Sequence, residues 1–304
     1  MNTLAVKGLT KSFGATKIID NISFDVPEGS ILGFIGANGA GKTTTMKMIL
    51  GLLPSDSGDI FVCNEKVSFG ETKTNRHIGY LPDVPEFYGY MRANEYLRLC
   101  GEITGMNNND NIRRVSELLD MVGLSKNINK KIRSFSRGMK QRLGMAQALL
   151  NEPKLLICDE PTSALDPTGR KEILDILKQI KGKSTVIFST HILSDVEHIC
   201  DSVAVLNGGH IVLSGTLPEL RAKHQSDSVL IEFSSSADKK QFISAFPELI
   251  NDANSPDTVL IIRTANRETT QREILKVLSA NDILPLKFEV LKPTIESLYL
   301  GVTK

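Results

Sequence analysis

Residues 36–44 read GANGAGKTT and fit the spacing G-x-x-x-x-G-K-[ST], with Gly36, Gly41, Lys42 and Thr43 at the fixed positions. A polyphosphate crowds negative charge onto a few oxygens and needs several N–H donors at once. Gly36, Gly39 and Gly41 let a backbone bend around such an anion without Cβ clashes. Asn38, Ala40 and Thr44 complete the same loop and its exit. Lys42 adds a compact positive charge, and the Thr43 hydroxyl suits Mg²⁺. Residues 31–35 before the loop are apolar and strand-like. Residues 43–50 after it read as a helix whose positive end faces the anion. Strand, loop and helix in that order are the context the motif requires, so 36–44 predict a nucleotide-binding site.

Phosphate binding alone does not hydrolyse ATP; phosphoryl transfer also needs metal ligands, an oriented water and positive charge on the γ-phosphate. A second cluster supplies the missing types. The apolar run 155–158 ends in Asp159 and Glu160. Asp159 is placed for the Mg²⁺ shell, and Glu160, one residue beyond the strand end, can take a proton from the attacking water.

Four further segments then carry a resemblance. SFSRGMKQR at 134–142, LLICDEP at 155–161, SALD at 163–166 and STH at 189–191 follow the phosphate loop in order. Together they make the chain resemble an ATP-binding cassette (ABC) nucleotide-binding protein over about residues 1–220. The resemblance implies a catalytic set of Glu160, His191 and Lys42, with Mg²⁺ held by Thr43, Asp83 and Asp159. It implies that Ser136, Gly138 and the helix they open cap a nucleotide held by a second subunit, with Asp166 reaching toward that subunit's phosphate loop. Two ATP molecules would then join a head-to-tail dimer. Phe13 stands where the family's base-stacking aromatic lies, although a local core plug is its other reading.

Three residues depart from the family pattern. Asp83 replaces the usual Gln after the strand 78–81, Phe135 the usual Leu, and Arg137 the usual Gly. The last places a long cation where a partner's phosphate is expected.

The elements that must position these residues follow from periodicity. Alternating apolar positions at 4–9 and 18–26 predict two antiparallel strands connected through 12–16. A strand at 59–67, another at 78–81 and a Pro- and aromatic-rich loop come next. Helices at 93–103 and 112–121, separated by an Asn-rich loop, and a third from about 138 to 150 make a helical insert spanning about 84–150. Strand 155–158, helix 171–180, strand 185–189 and helix 193–200 alternate as in a parallel α/β sheet. Asn207-Gly208-Gly209 marks a hairpin inside 203–213. A polar stretch at 221–228 reads as a boundary. Beyond it, at 228–304, strands at 229–233, 258–263 and 286–291 and helices at 238–245, 270–280 and from Pro293 describe a small accessory α+β domain. The expected fold is therefore an α/β P-loop NTPase of ABC type with an antiparallel β subdomain and helical insert, plus that tail.

The chain has 304 residues and a net charge of +1, which gives no global basic field for nucleic acid. No apolar run approaches the roughly 18 residues a membrane span needs, and the N-terminal residues lack a signal-peptide core. Its four cysteines are widely spaced, as expected in a reducing cytosol. The resemblance then implies ATP and Mg²⁺ as cofactors and a separate transmembrane permease as partner. It places the chain at the inner face of the membrane as the ATPase of an exporter, as in systems for peptide antibiotics and other drugs. The alternative is an ABC ATPase working on ribosomes or DNA, but such proteins carry two cassettes or long coiled coils, and neither is present. Phe87, Tyr88, Tyr90 and Met91 form an apolar cluster beside Asp83, readable as packing inside the insert or as a groove for a permease helix.

Overall fold

The structure, a computed structural model, describes residues 1–71, 73–223, 227–246, 257–264, 267–291 and 295–302. The chain divides into two compact units, Met1–Leu217 and Pro218–Gly301.

The first unit opens with β1 (Asn2–Phe13) and β2 (Thr16–Pro27), paired antiparallel from Asn2↔Pro27 to Phe13↔Thr16. Gly14, at φ +59°, turns the chain so tightly that the connection read at 12–16 shrinks to residues 14 and 15. Phe13 therefore ends a strand. After β3 (Ile31–Ile35) and α1 (Lys42–Ile49), the single strand expected at 59–67 is two: β4 (Ser57–Val62) and β5 (Glu65–Lys66). Cys63 and Asn64, at φ +51° and +64°, make the two-residue turn between them. Asn favours that conformation; Cys gives no such signal. β1, β2, β4 and β5 form a four-stranded sheet in the order β2-β1-β4-β5.

A 3₁₀ turn (Lys73–His77) leads into β6 (Ile78–Leu81), followed by α2 (Ala93–Ile103) and α3 (Asn108–Met121). The Asn-rich segment between these helices is partly helical. Asn107 is the N-cap of α3 and accepts from the Asp110 amide at 2.9 Å, so the helix starts four residues earlier than its apolar periodicity indicates. Next come α4 (Arg137–Ala148), β7 (Leu155–Cys158), α5 (Pro167–Ile180), β8 (Thr185–Thr190), α6 (Leu193–Ile199), β9 (Ser202–Asn207) and β10 (His210–Thr216). Helix α5 begins at Pro167, not at 171, because Asp166 caps it and proline is pre-set for the first helical turn.

The main sheet has the order β10-β9-β3-β8-β7-β6, parallel throughout except for the edge hairpin of β9 and β10. Strands β3, β7 and β8 are buried along their whole length, which their unbroken apolar runs dictate. One core cluster joins Leu4, Val6 and Ile60 of the smaller sheet to Phe34, Ile157 and Ile187 of the larger and to Met46 and Ile49 of α1.

After α7 (Leu217–Lys223), the second unit holds β11 (Asp227–Phe233), α8 (Ser236–Ala245), β12 (Val259–Thr264), α9 (Arg267–Ala280), β13 (Pro285–Leu291) and α10 (Ile295–Val302). The strands pair antiparallel in the order β12-β11-β13. Val229, Ile231 and Phe233 alternate along β11 and pack with Phe242 of α8 and Ile274 of α9. Residues 224–226 of the polar boundary and Pro293 lie outside the described residues. Among the described residues no helix is long and apolar enough to cross a membrane.

Cys158 and Cys200 are buried, and burial pushes both thiols well above the ordinary cysteine range. In native buffer near pH 8, a thiol reagent followed by mass spectrometry is expected to modify the half-buried Cys63 and Cys100 slowly and to spare Cys158 and Cys200 until denaturant is added. Rapid modification of Cys158 in the native chain would contradict a fully buried β7.

Candidate phosphate-binding and hydrolytic site

The carboxyl ends of β3, β7 and β8 meet because β3 pairs with β8 and β8 with β7, in register, Ile35 lying opposite Thr190 and Cys158 opposite Phe188. From β3 the chain enters the glycine loop. Gly41 caps α1 at φ +106°, and a Cβ there would come within 2.4 Å of Ile19 Cδ1. Only glycine fits on both counts. No side chain caps α1 and no acid lies in its first turn, so its leading N–H groups and positive end are left for an anion. Lys42 is 6% exposed. Its Nζ donates to Gly36 O at 2.8 Å and to Ala37 O at 3.2 Å, and lies 3.0 Å from Glu160 Oε1.

At the end of β7, Asp159 is buried and Glu160 nearly so. One residue clamps both: Ser189 Oγ donates to Asp159 Oδ1 at 2.7 Å and accepts from the Glu160 amide at 2.8 Å. Glu160 sits at φ +48°, a conformation that a non-glycine residue holds only where surrounding contacts enforce it. Its Oε2 meets His191 Nδ1 at 2.7 Å, so the carboxylate spans Lys42 and His191. On the neighbouring strand, burial and then the charge of Asp159 push the Tyr80 phenol up to about 12, and it stays neutral through the physiological range.

A cavity of about 550 Å³ opens over these groups. Of the residues singled out from the sequence, it collects Phe13, Asn38, Gly39, Gly41, Lys42, Thr43, Thr44, Asp83, Glu160 and His191. Gly36, Ala40 and Asp159 do not line it; a Cβ on Gly36 would come within 2.7 Å of Leu206 O. Phe13 is 51% exposed at the cavity rim, with Lys11 Nζ 5.6 Å from its ring centre, which excludes the core-plug reading. Among the described residues no three His, Cys, Asp or Glu side chains are grouped to hold a metal by themselves. Thr43 and Asp83 present hard oxygens to the cavity, and buried Asp159, next in the chain to the lining residue Glu160, adds a second carboxylate; Mg²⁺ shared with phosphates needs only one or two protein carboxylates. The donor set fits.

Ser136, Gly138 and Asp166 do not join this cavity. They line a second one of about 360 Å³ that shares none of its lining residues with the first. Ser136 caps α4, accepting from the Met139 amide at 3.2 Å, and Asp166 caps α5, accepting from the Gly169 amide at 3.0 Å. Arg137 lines the second cavity, half exposed, with its Nη2 3.8 Å from Asp83 Oδ1. Three features escaped the sequence reading. Ser189 was visible only as a member of a motif, and its clamp joins residues 30 positions apart. Ile18 and Ser163 line the phosphate cavity. Buried Asp195 ties the segment after Glu160 to α5, accepting from Thr162 Oγ1 at 2.7 Å and from Arg170 Nε at 2.5 Å.

Comparison with known proteins agrees with this geometry. The family profile described as ABC transporter matches residues 19–163. An uncharacterized ABC transporter ATP-binding protein of Bacillus subtilis, YxlF, is 43% identical over 80% of this chain and 82% of its own length. The linearmycin resistance ATP-binding protein LnrL of the same organism is 33% identical over 99% of this chain and 98% of its own. Among solved structures, the dimeric ATP-binding cassette MJ0796 in a post-hydrolysis state bound to ADP and Pi is similar with a TM-score of 0.64. It is 26% identical and covers 70% of this chain and 98% of that one. With a phosphate loop, a strand-end acid pair and relatives of this identity and coverage, the chain belongs to the ATP-binding proteins of ABC transporters, ATP-hydrolysing α/β P-loop subunits.

Proposed function

We propose that this chain, held at the inner face of the cell membrane by its partner, energises an exporter whose membrane-spanning segments are separate polypeptides, and that two copies close on two ATP molecules. The observation that carries the hydrolytic part is the bridge Lys42–Glu160–His191 inside the cavity of the glycine loop. Export is supported by the relation to a resistance protein over nearly the whole chain, including the small second unit. That unit would serve regulation or dimer contact.

The loop amides and Lys42 hold the β- and γ-phosphates, and Phe13 stacks on the base. Thr43, Asp159 and Asp83 hold Mg²⁺, which supplies charge neutralisation on the phosphates when bound. A phosphate drawing Lys42 toward itself frees Glu160 Oε1 to accept a proton from water, while His191 keeps Oε2 in place and can turn its other nitrogen to the γ-phosphate. Ser136 and Gly138, in their own cavity, present the N-terminal end of α4 to the nucleotide of a second copy. The similarity to a cassette solved as a dimer with ADP and Pi supports that arrangement.

Transmission to the membrane runs through the loop after Asp83. Tyr88 and Tyr90 are 56% and 70% exposed, their ring centres 5.9 Å apart, while Tyr88 also meets Tyr96 of α2 edge-on. Phe87 packs on Tyr96 as well, at 5.1 Å, so part of the cluster anchors the loop and part faces outward. The outward part is the surface for a permease helix.

Affinity purification of the tagged chain from detergent-solubilised host membranes should recover a polytopic membrane protein in stoichiometric amount; ribosomal proteins or nucleic acid in its place would overturn the transporter reading. Glu160→Gln is expected to slow ATP hydrolysis by about 10²- to 10⁴-fold while ATP still drives dimerisation in light scattering. A variant that keeps full turnover would remove Glu160 from its role. Tyr88→Glu with Tyr90→Glu should abolish co-purification of the membrane protein and leave basal ATPase within about twofold, since surface changes away from the site disturb the fold little. Retained association would sink the docking assignment.

A further inference from the structure

Asp83 follows β6 on the wall of the phosphate cavity. Its Oδ1 accepts from Ser163 Oγ at 2.5 Å and lies 3.8 Å from Arg137 Nη2, at the first position of α4. These two residues are also two of the chain's departures from the ABC pattern, where a neutral Gln and a Gly stand. Taken singly, each departure changes the charge around the nucleotide by one unit. Taken together they cancel, and the structure brings them into contact across 54 positions of sequence (137 − 83).

We propose that Arg137 is the counter-charge that allows a carboxylate at position 83 to face a bound nucleoside triphosphate, and is thereby a positioning residue for phosphate binding that acts through Asp83. This rests on the ATP-binding reading above. The pair is half exposed, 51% and 47%, and such pairs add little to stability, so a stabilising role does not account for it. The electrostatics are different. Toward a nucleotide without its metal, a lone carboxylate on the cavity wall repels the phosphate oxygens within the screening length, whereas a guanidinium beside it offsets that charge. Ser163 fixes the orientation of the same Oδ1, so the carboxylate cannot simply rotate away once Arg137 is lost.

The test is affinity for ATP in EDTA, where no Mg²⁺ contact of Asp83 contributes, measured by calorimetry on the full chain carrying Glu160→Gln, so that turnover does not consume the ligand. Arg137→Gly is expected to raise Kd about fivefold at low salt, the order of one partly screened unit charge. Arg137→Lys should stay within about twofold of the parent. Adding Asp83→Gln to Arg137→Gly should return Kd to within about twofold, and the Arg137→Gly effect should fade toward ~1 M salt, where screening acts within about 3 Å. A merely structural role for Arg137 would give a defect that neither Asp83→Gln nor salt removes, and that result overturns the proposal, as does an unchanged Kd for Arg137→Gly. Failure of the parent chain to bind ATP either with or without Mg²⁺ would instead overturn the ATP-binding reading beneath it.

Discussion

A strand buried on both faces has nowhere to put a charge except at its ends. β3, β7 and β8 are such strands, and the acid pair, Ser189, His191 and the start of the phosphate loop stand at or just beyond their carboxyl termini. The register of the parallel ladder then decides which ends meet. With Cys158 opposite Phe188 and Ile35 opposite Thr190, the acid pair, Ser189 and the phosphate loop fall side by side. The catalytic arrangement is thus a consequence of sheet register, and a slip by one residue would turn every side chain on a strand to the opposite face.

Within that frame the dominant local interaction is the bridge from Lys42 through Glu160 to His191. Lys42 and Glu160 are 6% and 13% exposed, so the pair is largely withdrawn from water. Removing one partner from a buried ion pair costs about 3–5 kcal/mol, because the other charge is left uncompensated. Lys42 therefore leaves Glu160 only for another anion of comparable charge, and a nucleotide phosphate is one. For Glu160 in its proposed role, such coupling makes the carboxylate available when a nucleotide is bound and keeps it occupied otherwise. The left-handed backbone at Glu160 and the Ser189 clamp hold the carboxylate at the one place where both partners reach it.

How much of this was legible in the sequence follows from distance along the chain. The glycine loop and the end of β7 are local: apolar run, turn chemistry and functional side chains lie within about ten residues, so pattern and chemistry reinforce each other. Element boundaries failed where a side chain replaced periodicity as the signal. Asn107 and Asp166 start α3 and α5 earlier than their apolar stripes indicate, since a cap is set by one hydrogen bond and not by a repeat. The split of β4 from β5 rests on Cys63 at positive φ, which that residue type does not announce. The Ser189 clamp and the Asp83–Arg137 pair are tertiary contacts, and no local pattern encodes them.

The separation of the two cavities carries the remaining argument. α1 and α4 both lack an acidic residue in the first turn, whereas α2 and α3 carry Glu95 and Asp110 there. A helix start without its own carboxylate keeps its positive end for an outside anion. For α1 that anion has a place in the loop of its own chain. For α4 the Ser136 cavity shares no lining residue with the cavity of that loop, although Arg137 and Asp83 link their walls at 3.8 Å, so one copy of the chain presents two anion-directed helix ends in two separate cavities. In the proposed arrangement a second copy supplies its α4 end to the polyphosphate held by the first. On that proposal the two-subunit arrangement follows from the separation of the two helix ends, and ATP is the ligand that satisfies one end from each copy.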